Sequence, residues 1–143
     1  MKKEQFWRII NEINEEVGTG DQKTILNKCS EKLSKLSAEE IASWKNIQTQ
    51  YVELADRYDL QQACAKNHIY LSDDSFYYFR VWLLSQGEET FKAVLRGPGL
   101  LSRFVEDPNE ARFEIFSYVS HDVYLKKAYT EEHGEEGFKK LEE

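Results

Sequence analysis

Apolar residues recur every three or four positions along most of the chain, which is the spacing of one face of an α-helix. The first stripe ends at Gly18-Thr19-Gly20, where we predict a break, and Asp21 is suited to cap the helix that follows. The faces predicted to be buried in these two helices are Phe6, Ile9, Ile10, Ile13 and Val17, and then Ile25, Leu26, Cys29, Leu33 and Leu36.

The segment Ser37-Ala38-Glu39-Glu40 has the pattern of a capping box. In this motif the Ser37 hydroxyl accepts from the amide of Glu40, and the Glu40 carboxylate accepts from the amide of Ser37. We predict a long amphipathic helix after it, and the same helix or a kinked continuation then extends to Cys64. The inward residues of this stretch are Ile41, Trp44, Ile47, Tyr51, Leu54, Ala55, Tyr58, Leu60, Ala63 and Cys64.

The next helix is predicted to begin at Ser72-Asp73-Asp74, whose short polar side chains suit unpaired amides at a helix start. Residues 76–84 are apolar or aromatic on every side except at Arg80. Their aromatic side chains also favour a β-strand. The cap before the segment and Gly87 after it, as a left-handed stop, favour a helix. A helix that is apolar all round is usually central, so we expect neighbours on several of its faces.

The remainder of the chain predicts a short helix over residues 88–96, a turn at 97–99, and a short helix or ordered loop over 100–105. Asp107-Pro108-Asn109-Glu110 is predicted to start the last long helix, with Phe113, Phe116, Val119, Val123 and Tyr129 facing inward. Residues 131–143 are strongly acidic and predict a frayed tail. The fold class expected is all-α: a compact bundle of about six helices in one domain, residues 1–130.

The charge of the chain and its distribution exclude some classes of binding partner. The 19 basic and 26 acidic residues are interleaved and give a net charge of −7, whereas binding to polyanions needs clustered basic residues. We therefore expect no nucleic acid and no membrane as partner. The chain lacks a signal-peptide pattern and an apolar run of membrane-spanning length, which predicts a cytoplasmic protein. Cys29 and Cys64 are expected to be reduced and buried, because both lie in apolar helical stripes.

One block of the sequence resembles a known family. The residues that carry the resemblance are Asp59-Leu60, Ala63, Ser72-Asp73-Asp74, Phe76, Tyr78-Phe79-Arg80, Trp82-Leu83-Leu84 and Gln86-Gly87. They resemble the core signature of an uncharacterised bacterial family, domain of unknown function 4240. Glu4-Gln5-Phe6-Trp7 and the segment from Leu36 to Ile41 also fit its layout. The chain departs from the family pattern at Ile69-Tyr70-Leu71, in place of small residues and a cysteine. The resemblance implies an all-helical domain and no particular activity.

Asp59, Asp73, Asp74 and Arg80 form the candidate site, and two interpretations are open. As a functional pocket, the carboxylates and the guanidinium would bind an anionic or carbonyl group. As a structural network, the aspartates would cap helices while Arg80 pairs with a carboxylate in the core. Asp73 and Arg80 are about two turns (~10 Å) apart along one helix, so Asp59 is the better predicted partner of Arg80.

Motifs for catalysis, metals and cofactors are not found. His68, His121 and His133 have no zinc-ligand spacing, and the adjacent His121 and Asp122 point about 100° apart on a helix. Neither a nucleophile elbow nor a phosphate-binding loop is present. We therefore expect no metal, no cofactor and a non-catalytic protein-interaction or regulatory domain, of immunity type among the options. The alternative is a small-molecule or enzymatic pocket built from Asp59, Asp73, Asp74 and Arg80.

Overall fold

A computed structural model describes residues 1–142, and these contain seven α-helices, three 3₁₀ helices and no β-strand. The α-helices are α1 (Lys3–Val17), α2 (Gln22–Leu33), α3 (Ala38–Leu54), α4 (Tyr58–Lys66), α5 (Asp73–Ser85), α6 (Glu88–Arg96) and α7 (Val119–Glu142). The 3₁₀ helices are Pro98–Arg103, Pro108–Glu110 and Ile115–Tyr118. The prediction of an all-α bundle is confirmed.

The predicted caps form as local hydrogen bonds. The Asp21 side chain accepts from the amide of Thr24 at 3.2 Å and starts α2. Ser37 and Glu40 form the complete capping box of α3, and the Ser72 hydroxyl accepts from the amide of Ser75 at the start of α5. These caps satisfy amides that have no partner within their own helix.

Helix α5 is central, as its apolar sequence predicts. All of its residues from Phe79 to Ser85 are buried, and it packs against α3, α6 and the third 3₁₀ helix. An aromatic cluster fills the space between α1, α3 and α6, with Phe6 and Trp44 ring centroids 4.4 Å apart and Trp7 and Phe91 centroids 5.5 Å apart. Cys29 and Cys64 are free, fully buried thiols, which confirms the prediction of their burial.

The predicted long helix after Ser37 is broken at residues 55–57. Arg57 has an extended backbone, and its guanidinium donates to the carbonyl of Leu95 at the end of α6 (2.7 Å) and to the Asp59 carboxylate. This tertiary anchor turns the chain and starts α4 as a separate helix. Leu54 and Tyr58, predicted to face inward, are exposed at this break, so that part of the prediction is wrong.

The start predicted for the last helix is also wrong. Pro108 begins only one 3₁₀ turn, and the chain then runs irregularly to Glu114, where the backbone amide of Phe113 donates to the carbonyl of Tyr78 on α5 (3.1 Å). This path buries Ala111 and Phe113, and regular helix begins at Val119.

The C-terminal segment after Thr130 is helical on both sides of Gly134, where the backbone has φ 76° and ψ 166°. Phe138 thereby returns toward the part of α7 before Gly134, with its ring centroid 6.1 Å from that of Tyr129. The predicted frayed tail also includes Glu143, which lies outside the described residues. The boundary at residue 130 and the small contribution of the tail to stability stay predictions.

Candidate functional site

Arg80 of α5 is buried, and aromatic rings rather than carboxylates surround it. Its Nη1 donates to the carbonyl of Val52 at 2.7 Å. This carbonyl lies in the last turn of α3 and is free for Arg80 because the amide of Asp56 bonds to Glu53 instead. The guanidinium carbon is 4.7 Å from the centroid of the Phe76 ring and 5.5 Å from that of Tyr77. Arg80 therefore joins α5 to the C-terminal end of α3, where a positive charge is favourable.

No carboxylate in the described chain lies within 4 Å of the Arg80 nitrogens, and its Nε is buried without a hydrogen-bond partner. Burial lowers the pKa of Arg80, and the negative charges of Asp56 and Glu53 oppose this effect from a distance. The guanidinium is thus incompletely satisfied by protein groups.

Asp59 pairs with Arg57 and not with Arg80, which corrects the predicted ion pair. Its two carboxylate oxygens accept from Nε and Nη2 of Arg57 at 3.1 and 2.6 Å. The Arg57 guanidinium lowers the pKa of Asp59. Both carboxylate oxygens of Asp59 are therefore occupied by the bidentate guanidinium of Arg57.

Asp73 and Asp74 lie exposed in the first turn of α5, where they suit the helix dipole. Neither is within salt-bridge distance of Arg80. Each precedes a tyrosine by four residues, so Asp73 shares a side of the helix with Tyr77, and Asp74 with Tyr78. The four residues of the predicted site therefore do not lie together in the structure. Arg80 is internal, Asp59 belongs to the turn before α4, and Asp73 and Asp74 lie at a solvent-facing helix start.

A different group of residues converges on this part of the surface. We define the tyrosine–carboxylate face as Tyr77, Tyr78, Tyr118, Glu53 and Glu114. Tyr77 and Tyr78 have ring centroids 5.8 Å apart and are only half-buried. Tyr118, from the third 3₁₀ helix, is 55% exposed. The residues come from the end of α3, the start of α5, and the third 3₁₀ helix with Glu114 directly before it.

The neighbouring groups of the face shift the pKa values of Tyr77 and Tyr78. Desolvation, with the neighbouring Glu114 and Tyr118, raises the pKa of Tyr78 to about 12. Burial, Tyr118 and Glu53 raise the pKa of Tyr77, while Arg80 opposes them. Carboxylates and neutral phenols therefore lie side by side, which gives the face a negative potential with aromatic character.

One feature of the sequence points to this face and was not used in the prediction. Ile115 and Tyr118 fall outside the inward stripe of Phe113, Phe116 and Val119. Both are largely exposed, at 62% and 55%. Tyr77 and Tyr78 were predicted to be part of an all-apolar core segment, and their partial exposure corrects that prediction. Large side chains outside a stripe indicate surface that is available for a partner.

No group of three or more His, Cys, Asp or Glu residues is placed to hold a metal within residues 1–142. His121 and Asp122 are both exposed on α7. Every helix in the same part of the chain is too short or too polar to cross a lipid bilayer.

The fold and this surface define an all-α domain with an aromatic and acidic face formed around the first turns of its central helix. The chain belongs to the family described as Protein of unknown function (DUF4240), whose model matches residues 1–126. That match covers the central signature and all elements of the tyrosine–carboxylate face. Comparisons with curated proteins and with solved structures give no match.

Proposed function

We propose that this chain is a non-catalytic protein-interaction domain that binds a basic surface of another protein through its tyrosine–carboxylate face. The observation that carries the proposal is the convergence of three tyrosines and two carboxylates from separate elements on one exposed surface. Tyrosine is among the residues that contribute most to binding energy at protein interfaces. The partner would act in a regulatory or immunity-type role, in the cytoplasm.

Charge complementarity supports a basic partner. Glu53 and Glu114 belong to the face, and Asp73 and Asp74 lie one helical turn from its tyrosines. The nearby Arg80 is buried against Phe76 and Tyr77, so it does not present its charge as a surface lysine would. Lysine or arginine side chains of a partner would be attracted both to the carboxylates and to the tyrosine rings. The net charge of −7 would also favour encounter with a basic surface and disfavour nucleic acid.

The alternative, a ligand pocket built from Asp59, Asp73, Asp74 and Arg80, gains no support from the geometry. Such a pocket needs charged groups that point into one concavity. Asp59 is occupied by Arg57, and the guanidinium of Arg80 lies between rings and a carbonyl.

Affinity capture from the native host with matched variants tests the proposal. Ile115→Ser/Tyr118→Ser removes Tyr118 of the face together with Ile115, an exposed residue of the same 3₁₀ helix that borders the face. Leu141→Ser/Tyr58→Ser removes two side chains of similar or greater exposure elsewhere. A partner that uses the face binds the wild type and the control variant equally, and it binds the face variant at least ten-fold more weakly.

The captured protein must also be basic at its contact surface, and its binding must weaken as salt is raised. A partner that is retained by the face variant, or whose binding is insensitive to salt, would overturn the proposal. Circular dichroism of both variants checks that the fold is intact.

A further inference from the structure

A small pocket between α3 and the start of α7 has a lining unlike the rest of this acidic chain. Its volume is about 230 Å³. The lining residues are Ile41, Ala42, Lys45, Asn46, Ser120, His121 and Tyr124. None of them is acidic, although the chain contains 26 Asp and Glu residues. The polar groups that line it are an ammonium, an amide, an imidazole and two hydroxyls, and all of these can donate hydrogen bonds.

Lys45 provides the charge of this pocket. Its Nζ donates to the carbonyl of Ser117 at 2.7 Å. Among residues 1–142 no carboxylate lies within 4 Å of Lys45 Nζ, and the side chain is partly buried. Burial lowers the pKa of Lys45, because the charged ammonium loses water. An ammonium has three donors, so two remain for a ligand.

Ser120 is the second observation that points to a ligand. The residue is 1% exposed, and its Oγ has no hydrogen-bond partner. A buried hydroxyl without a partner has lost its hydrogen bonds to water and gained none in return, so one is seldom left unpaired without a reason. Ser120 lies in the first turn of α7, three residues after Ser117, whose carbonyl accepts from Lys45. Ser120 and Lys45 both line the pocket.

We propose that this pocket binds the oxyanion group of a small organic carboxylate. Lys45 supplies the charge, Ser120 and Tyr124 supply hydroxyl donors, and the Asn46 amide adds a further donor. Ile41 and Ala42 form an apolar wall that suits a short hydrocarbon body. The volume admits a small ligand of a few carbon atoms, since pockets for drug-like molecules begin at about 300 Å³.

Nuclear magnetic resonance titration of the full chain with sodium butyrate tests this proposal. The amides of residues 41–46 and 120–124 should shift and saturate, while those of α1 should not. Lys45→Met should weaken binding at least ten-fold and Ser120→Ala several-fold. The matched control is Lys126→Met, which removes a lysine of α7 that does not line the pocket and should leave binding unchanged.

Sodium phosphate, titrated at equal ionic strength, separates the two sources of an oxyanion. Weaker binding of phosphate than of butyrate supports a carboxylate with an apolar body. Tighter binding of phosphate overturns that assignment, and so does an absence of saturable shifts with butyrate. Equal butyrate affinity in wild type and Lys45→Met overturns the site itself.

If Lys45→Met loses helical structure, Ser120→Ala gives the decisive comparison, because it removes only an unpaired hydroxyl. The site is independent of partner binding at the tyrosine–carboxylate face, so either proposal can fail alone.

Discussion

At the scale of single residues, some of the interactions of Arg80 stabilise the folded state and its burial destabilises it. The hydrogen bond to the Val52 carbonyl and the contacts with the Phe76 and Tyr77 rings favour the folded state. The loss of water around a buried guanidinium whose Nε has no partner opposes them. Because no carboxylate is paired with Arg80, its removal leaves no opposite charge stranded in the core.

We therefore expect Arg80→Met to lower the free energy of unfolding by only about 1 kcal/mol, against about 3–5 kcal/mol for breaking a buried ion pair. Urea denaturation of Arg80→Met, Asp59→Asn and the double variant measures this. The two effects should add to within about 0.5 kcal/mol, because Asp59 interacts with Arg57 instead. Coupling above about 1 kcal/mol would show that Arg80 and Asp59 do interact.

Gly87 is a second residue whose surroundings lead to a testable prediction. It connects α5 to α6 with φ +106°, and a Cβ at this position would lie 2.9 Å from Asn14 Oδ1. Asn14 and Asn11 fix this turn through bonds to the Ser85 carbonyl and the Glu88 amide. Because both the backbone strain and the crowding oppose a side chain, Gly87→Ala should lose about 1–3 kcal/mol of stability.

The matched control for this prediction is Gly99→Ala, since a Cβ at Gly99 would meet no atom within 4 Å and its φ is not positive. Thermal denaturation followed by circular dichroism should give a clearly lower midpoint for Gly87→Ala only. Equal midpoints for the two variants would mean that the turn adapts without cost.

At the scale of elements, the accuracy of sequence-based prediction depended on the range of the interactions involved. The caps at Asp21, Ser37 and Ser72 depend on atoms three residues apart, and all three form as predicted. The break before α4 depends on a hydrogen bond from Arg57 to Leu95, which is 38 residues away in sequence. The late start of α7 depends on a hydrogen bond from Phe113 to Tyr78, which is 35 residues away. Periodicity within one segment carries no information on such contacts.

The same reason limited the prediction of the candidate site. The signature around α5 identified the correct region, and Asp73 and Asp74 do border the exposed face. Its other components come from α3 and the third 3₁₀ helix, which only the folded chain brings together. The structural interpretation placed Arg80 in the core, where it lies, but gave it a carboxylate as partner, because a carbonyl freed at a helix end has no signature in sequence.

The C-terminal segment is the element whose contribution can be measured by removal. Its contacts with the domain include the Glu131 carboxylate, which accepts from the amide of Ala38 at the start of α3 (3.0 Å). The segment after Thr130 is otherwise largely exposed. Truncation after Thr130 should therefore lower the free energy of unfolding by about 1 kcal/mol, chiefly through the lost cap.

Chemical denaturation of the truncated chain and of full-length Glu131→Gln tests this interpretation. The substitution should reproduce most of the effect of the truncation, because the two changes remove the same charged acceptor. A loss of more than about 2 kcal/mol on truncation, with little loss in Glu131→Gln, would show that the helix around Phe138 is firmly docked.

At the scale of the whole molecule, ionisable groups shift their pKa values in directions that limit stability at both ends of the pH range. The pKa values of four carboxyl groups are lowered by hydrogen bonds: Glu16, Asp21, Glu40 and Asp59. A lowered pKa in the folded state gives stability above the ordinary values of 3.8–4.5 and loses it as the pH falls further. The acid limb of the stability curve should therefore begin below about pH 5.

The alkaline limb depends on the two buried thiols. Burial raises the pKa of both Cys29 and Cys64 from 9.0 to about 12. Above pH 9 the unfolded chain loses thiol protons that the folded chain keeps, so stability falls as the pH rises. Between pH 8 and pH 10 each thiol should lower the free energy of unfolding by on the order of 1 kcal/mol.

Urea midpoints measured across this interval should fall steeply in the wild type. Cys29→Ala/Cys64→Ala should be less stable at every pH because of the cavities left behind, yet its midpoint should be nearly constant from pH 8 to pH 10. An equally steep fall in that variant would assign the alkaline limb to other groups, with Tyr78 the first to test by Tyr78→Phe.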